Sequence, residues 1–184
     1  MPSKKQRRRF TEILNAAKNA GVLFPEVIAV QWALESGWGK SESGTYNFWG
    51  IKAVGNQDGK LITTHEVING RRVKIKAKFR NFASLEEALI ERAKFTKRGG
   101  RYDKAGYFKS ETPRDAIEAL QRGGYATDPN YAKTLIKIMK GVGLDPDYQY
   151  PKPKKEDEVC NKKSTLASLI IQLINKIFHK RSDT

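Results

Sequence analysis

The sequence predicts a mainly α, α+β domain with a small β-hairpin lobe and a C-terminal amphipathic helix. Three observations predict it. Apolar residues recur at helical spacing on both sides of the middle of the chain. Asn69-Gly70 separates two β-patterned runs, the chemistry of a two-residue hairpin turn. Six aliphatic residues between Leu166 and Ile177 form one helical stripe. At 184 residues, 39% apolar and 30% charged, the chain is long enough to bury a core without disulfides. Cys160 stands alone and only two histidines, His65 and His179, are present, so a disulfide framework and a zinc finger are both excluded. No apolar run is long enough for a spanning helix, and the basic front lacks the apolar stretch of a secretory signal.

Phe10, Ile13, Leu14 and Ala17 mark the first helix, which Gly21 stops. Pro25 suits a first helical turn, and the apolar run that follows predicts a second, buried helix ending near Gly37 and Gly39. Residues 41–59 read as irregular structure. Residues 61–68 and 71–80 make the hairpin, with Ile68 opposite Arg71 and Glu66 opposite Val73. Val73, Ile75, Ala77 and Phe79 share one face of the second strand and are expected to point inward, taking Glu66 with them. Ser84-Leu85-Glu86-Glu87 is a capping box opening a helix that carries Leu85, Ala88, Leu89, Arg92 and Phe95. Thr112-Pro113 opens another, and Asp128-Pro129 the last, as N-cap and first helical residue. The expected organisation is a basic leader over 1–9, a domain over 10–145, a Pro/Lys-rich linker over 146–163 and the amphipathic helix over 164–181.

Glu35 is the first candidate for chemistry. It ends the buried helix, with Trp32 and Trp38 beside it in sequence. A carboxyl beside indoles loses hydration, which raises its pKa toward that of a general acid. The competing reading is a structural ion pair with one of the many basic residues. Glu66 is the second candidate, a carboxylate on an expected apolar face; the bland reading pairs it with Arg71 or Arg72.

Four segments resemble the bacterial glucosaminidase family of peptidoglycan hydrolases, which includes flagellar rod-associated hydrolases and autolysins. They are Leu34-Glu35-Ser36-Gly37-Trp38-Gly39-Lys40-Ser41, then Asn47-Phe48-Trp49-Gly50-Ile51-Lys52-Ala53, then Thr64-His65-Glu66 with Phe79-Arg80, and Gly124-Tyr125-Ala126-Thr127-Asp128-Pro129-Asn130-Tyr131-Ala132. The resemblance spans residues 10–145 and implies a lysozyme-like fold. It also implies cleavage of the β-1,4 bond after N-acetylglucosamine in cell-wall glycan strands, with no cofactor and no metal. Glu35 then resembles the general acid, Glu66 the second carboxylate and Tyr125 the active-site tyrosine. Asn47, Trp49, Trp38 and Tyr131 are expected to bind substrate, with core packing the alternative for Tyr131. Phe48-Trp49 departs from the more usual Leu-Phe of the family. Two carboxyls about 5–5.5 Å apart favour a covalent intermediate, and about 6.5–9.5 Å a base acting through water.

The net charge of +15 points to a polyanionic partner, and more than half of the excess lies in residues 1–9 and 151–184. Nucleic acid is disfavoured, since no recognisable binding motif accompanies the charge. The expected setting is a phage endolysin or virion-associated lysin, made in the cytoplasm and acting on the wall. The alternative is an inactive wall-binding or structural virion component of the same fold. For the stripe over Leu166–Ile177, packing on the domain, self-association, virion proteins and a membrane surface all stay open.

Overall fold

The structure, a computed structural model, describes residues 2–68 and 71–150; the side chains of 65–68 and 72 lie outside the described part. The Asn69-Gly70 turn, the linker beyond 150, Cys160 and the amphipathic helix over 164–181 also lie outside the described residues. Residues up to 149 form one compact unit.

Helix α1 runs Lys4–Asn19, starting well before Phe10. Ser3 and Gln6 form a reciprocal capping box that satisfies two orphan amides, so Lys4 to Arg9 become helical turns. The expected basic leader over 1–9 is therefore mostly the front of α1. Phe10, Ile13 and Ala17 face the core as the periodicity predicts.

Helix α2, Pro25–Glu35, is buried along nearly its whole length, and α1, α5 (Pro113–Arg122) and α6 (Tyr131–Gly141) pack around it. Apolar burial on all sides is what its sequence demands. Gln31 is the exception: a fully buried amide in an otherwise apolar run.

Strands β1, Gly59–Ile68, and β2, Arg71–Arg80, pair antiparallel in the predicted register, with Ile68 opposite Arg71 and Glu66 opposite Val73. The expected inward face is covered only at its base. Phe79 is buried, while Val73 is 38% exposed. A ribbon of ten residues extends roughly 33 Å, further than its contact with the helices reaches. Arg80 anchors that base to α3, Leu85–Lys97, through Glu87 at 2.7 Å and Glu91 at 3.0 Å. Ser84 caps α3, but Glu87 reaches back to the Ala83 amide rather than closing a box with Ser84.

The short α4, Arg101–Lys104, was not visible in the pattern. Thr112 and Asp115 close a capping box on α5. Helix α6 starts at Tyr131, three residues after the predicted cap. Asp128 instead accepts from the Asn130 amide, and Gln121 of α5 accepts from the Ala132 amide. The core packing continues past 145: the Arg114 amide donates to the Pro146 carbonyl, and its guanidinium grips Asp147.

Candidate active site

The turn after α2 shapes the site. Ser36 is buried; its hydroxyl donates to the Trp32 carbonyl and accepts from the Gly39 amide. Gly37, Trp38 and Gly39 then take φ of 56°, 64° and 77° in succession. Left-handed backbone is costly for a residue with a Cβ, so Trp38 stores strain that its packing must offset. The Trp38 amide closes onto the Ala33 carbonyl at 2.8 Å, and its ring meets Trp32 and Phe10 at centroid distances of 6.4 and 5.8 Å. A Cβ on Gly39 would come within 3.0 Å of the Trp32 ring. The Glu-Ser-Gly-Trp-Gly run thus reverses the chain tightly at the end of α2 and leaves Glu35 at the surface.

Glu35 reaches solvent, yet protein surrounds it closely enough that desolvation raises its carboxyl pKa. Partial access to water does not restore bulk dielectric to a carboxyl flanked by protein. Two groups oppose the rise, the Arg92 charge and a hydrogen bond from Tyr131. Neither neighbours Glu35 in sequence. Trp32 and Trp38, expected to flank the carboxyl, instead pack with Phe10, and Trp32 also with Phe48.

Behind Glu35 lies a tyrosine–arginine cluster. Arg92 of α3 is 1% exposed and donates through Nη2 to Oε1 of Gln31. Gln31 donates through Nε2 to the Tyr131 hydroxyl at 2.6 Å. The Tyr125 ring stacks on Tyr131 at 5.6 Å, and the guanidinium of Arg92 stands over Tyr125 at 5.1 Å. Burial pushes the Tyr125 hydroxyl up to about 12 with Arg92 opposing, and pushes Tyr131 up as well. Both phenols are therefore neutral at working pH. Among the described residues, Arg92 Nε and Nη1 have no hydrogen-bond partner. The face of Tyr125 and the charge of Glu35 contribute to stabilising that cation.

The structure brings Glu35, Tyr125 and Tyr131 together. Tyr131 is buried, so its contact is with the acid rather than with a sugar subsite. Asn47 is fully buried. Its Nδ2 donates to the carbonyls of Ile51 at 2.7 Å and Arg80 at 2.8 Å, and its Oδ1 accepts from the Ile51 amide at 3.0 Å. Every hydrogen of that amide is committed to tying the loop to the hairpin, which corrects its expected role in binding sugar. Trp49 is buried edge-on against Phe48 and offers no open face, a second correction. Trp38 is half-exposed and lines a cavity of about 700 Å³ with Lys5, Arg9, Lys40 and Phe48. Glu66 occupies its predicted register, and its side chain lies outside the described part. Sequence reasoning missed Gln31 and Arg92 as site residues. Their signal was present as one amide and one cation at apolar positions of buried helical faces. Among the described residues, no group of three His, Cys, Asp or Glu could hold a metal ion.

A family model described as mannosyl-glycoprotein endo-beta-N-acetylglucosaminidase matches residues 11–144. The chain belongs to this glucosaminidase family. It is 41% identical over 133 residues to the peptidoglycan hydrolase FlgJ of Escherichia coli, covering 68% of this chain and 42% of that protein. The exo-glucosaminidase LytG of Bacillus subtilis is 36% identical over 130 residues, covering 67% and 45% respectively. The chain thus spans under half the length of these relatives. Among solved structures, the catalytic domain of the Listeria monocytogenes autolysin Auto aligns with a TM-score of 0.67 at 31% identity, over 78% of this chain and 88% of that one. A C-terminally truncated glycoside hydrolase domain of Salmonella typhimurium FlgJ aligns at 0.57 and 37%, over 74% and 97%. The fold is that of these glucosaminidase domains, lysozyme-like and mainly helical. The relatives are FlgJ proteins and bacterial wall enzymes, so a phage or virion setting gains no support from them.

Proposed function

We propose that the domain hydrolyses the β-1,4 bond after N-acetylglucosamine in peptidoglycan glycan strands, with Glu35 as general acid. The observation that carries the reading is the placement of Glu35: at the surface, desolvated toward its acid form, and held by a tyrosine hydroxyl. A carboxyl whose pKa is raised holds its proton more firmly and can give it to the glycosidic oxygen as the C1–O bond breaks. Glu66, on the hairpin, supplies the ionised second carboxylate that steadies C1 or directs the water that adds there. Tyr125, neutral and against the cluster, serves as a hydrogen-bonding hydroxyl rather than as a base.

The choice of bond belongs to the proposal, because relatives carry different names, among them an exo-glucosaminidase and a probable N-acetylmuramidase. Its test is end-group analysis. Purified protein is incubated with peptidoglycan, the products are reduced with borohydride, and the new sugar alcohols are identified. Glucosaminitol ends are expected from wild type and none from E35Q. Muramitol ends would change the bond. No new ends from wild type, or equal release by E35Q, would remove the enzyme reading.

A further inference from the structure

We infer that Arg92 acts as a positioning residue: through Gln31 it fixes the direction of a hydrogen-bond chain that leaves the proton of the Tyr131 hydroxyl for Glu35. The inference rests on the proposed role of Glu35 and specifies what orients the hydroxyl beside it.

The argument is one of donors and acceptors. A guanidinium donates only. Arg92 Nη2 therefore compels Gln31 to present its carbonyl oxygen, and the Gln31 NH2 must face the other way. That NH2 meets the Tyr131 hydroxyl at 2.6 Å, so the hydroxyl accepts there. Its own proton is left to donate, and the Glu35 carboxyl, whose pKa Tyr131 lowers, is the acceptor on that side. The chain runs one way, from Arg92 through Gln31 to the Tyr131 hydroxyl, and leaves that hydroxyl's proton for Glu35.

The cost of this arrangement is visible. Arg92 is buried at 1% exposure, and among the described residues two of its nitrogens have no hydrogen-bond partner and no carboxylate lies within salt-bridge distance. A methionine or leucine would fill an apolar helix face at less expense, since burying an uncompensated charge is strongly unfavourable. The charged and titratable groups facing the chain are Arg92 from α3, Tyr131 from α6 and Tyr125 from the loop before it. Tyr102 and Tyr107 close around Arg92. Arg92 also acts on Glu35 through space, its charge lowering the carboxyl pKa, so Q31L, which keeps that charge, isolates the chain.

The test uses the whole chain in six forms: wild type, Q31L, R92Q, R92K, Y131F and the Q31L/Y131F double. Q31L and R92Q should each lower kcat roughly tenfold with KM little changed, the scale of one lost hydrogen bond to a charged group. R92K keeps a donor-only end and should recover most of the loss. Q31L added to Y131F should cost nothing further, since the chain is already cut. A second readout needs no substrate: carboxyl NMR titration of Glu35 should move upward in Q31L and R92Q, because a freed Tyr131 can accept from the protonated acid.

Folded Q31L and R92Q proteins with wild-type kcat and wild-type Glu35 titration would overturn the inference. So would additive losses in the double variant. If R92Q does not fold, Q31L, close in volume, decides alone. Inactive wild type would sink the hydrolase reading, while the titration would still judge the chain.

Discussion

Replacing Asn47 tests how the hairpin lobe is held to the helical body. Its side chain makes three hydrogen bonds, all to backbone groups of Ile51 and Arg80. The Ile51 carbonyl also accepts from the Arg80 amide at 2.9 Å, so it keeps a partner when Asn47 is lost. In N47A two groups lose theirs, the Ile51 amide and the Arg80 carbonyl. At about 1–3 kcal/mol for each buried unpaired group, the loss is about 2–6 kcal/mol. That corresponds to a melting temperature lower by roughly 4–24 °C for a chain of this size. N47D should be worse at neutral pH. It retains the acceptor for Ile51 but turns a carboxylate oxygen toward two carbonyl oxygens. Burial and those carbonyls raise the folded pKa of the new carboxyl above its unfolded value. Its stabilising contribution is then fully present below the unfolded pKa and is lost as pH rises through the folded one. Circular dichroism melts at about pH 3.5 and pH 7 separate the cases, since the acid condition lies below the ordinary Asp range. N47D should approach wild type in acid more closely than N47A does. Equal stability of N47D and wild type at pH 7, or no recovery in acid, would refute the anchoring role.

Three further outcomes follow from the geometry. Glu35 titrates above its unfolded value, so its stabilising contribution is present below the unfolded pKa and lost as pH rises through the folded one. E35Q should therefore be inactive yet more stable than wild type in urea melts at neutral pH, and no more stable at about pH 3, below the carboxylate range. G39A should destabilise by about 1–2 kcal/mol and reduce activity, because residue 39 has φ of 77° and a Cβ there meets Trp32 at 3.0 Å; a thermal melt and the end-group assay check both. Binding to insoluble peptidoglycan should weaken steeply as salt rises, since screening shortens from about 10 Å at 0.1 M to 3 Å at 1 M. Substituting glutamine at Lys74, Lys76 and Lys78, exposed along β2, should flatten that dependence in a pelleting assay.

Legibility in the sequence differs by residue. The hairpin register was readable because Asn69-Gly70 and strict alternation act over a few residues, and the pairing of Glu66 with Val73 follows by counting. Helix α5 was readable from Thr112-Pro113 for the same reason. The start of α1 was not: its charged first turns look like a solvated leader until Ser3 and Gln6 are seen to cap each other. The turn after Glu35 was marked by its glycines. The raised pKa of Glu35 was anticipated, but its surroundings were drawn from adjacent indoles, whereas its partners come from α3 and α6. Asn47 looked like a sugar ligand because its partner Arg80 stands 33 residues away.

By itself the sequence determined the hairpin, its strand register, the five longer helices of the domain and the carboxyls and tyrosine that identify the family. Periodicity, turn chemistry and capping are local, so they survive in a one-dimensional reading. Only the tertiary structure decided what each polar side chain does once buried. Gln31 meets Tyr131 across 100 residues and Arg92 across 61, joining three helices at one point behind Glu35. Hydrogen-bond direction and desolvation are set by whatever packing brings within a few ångströms, and spacing along the chain carries no record of that.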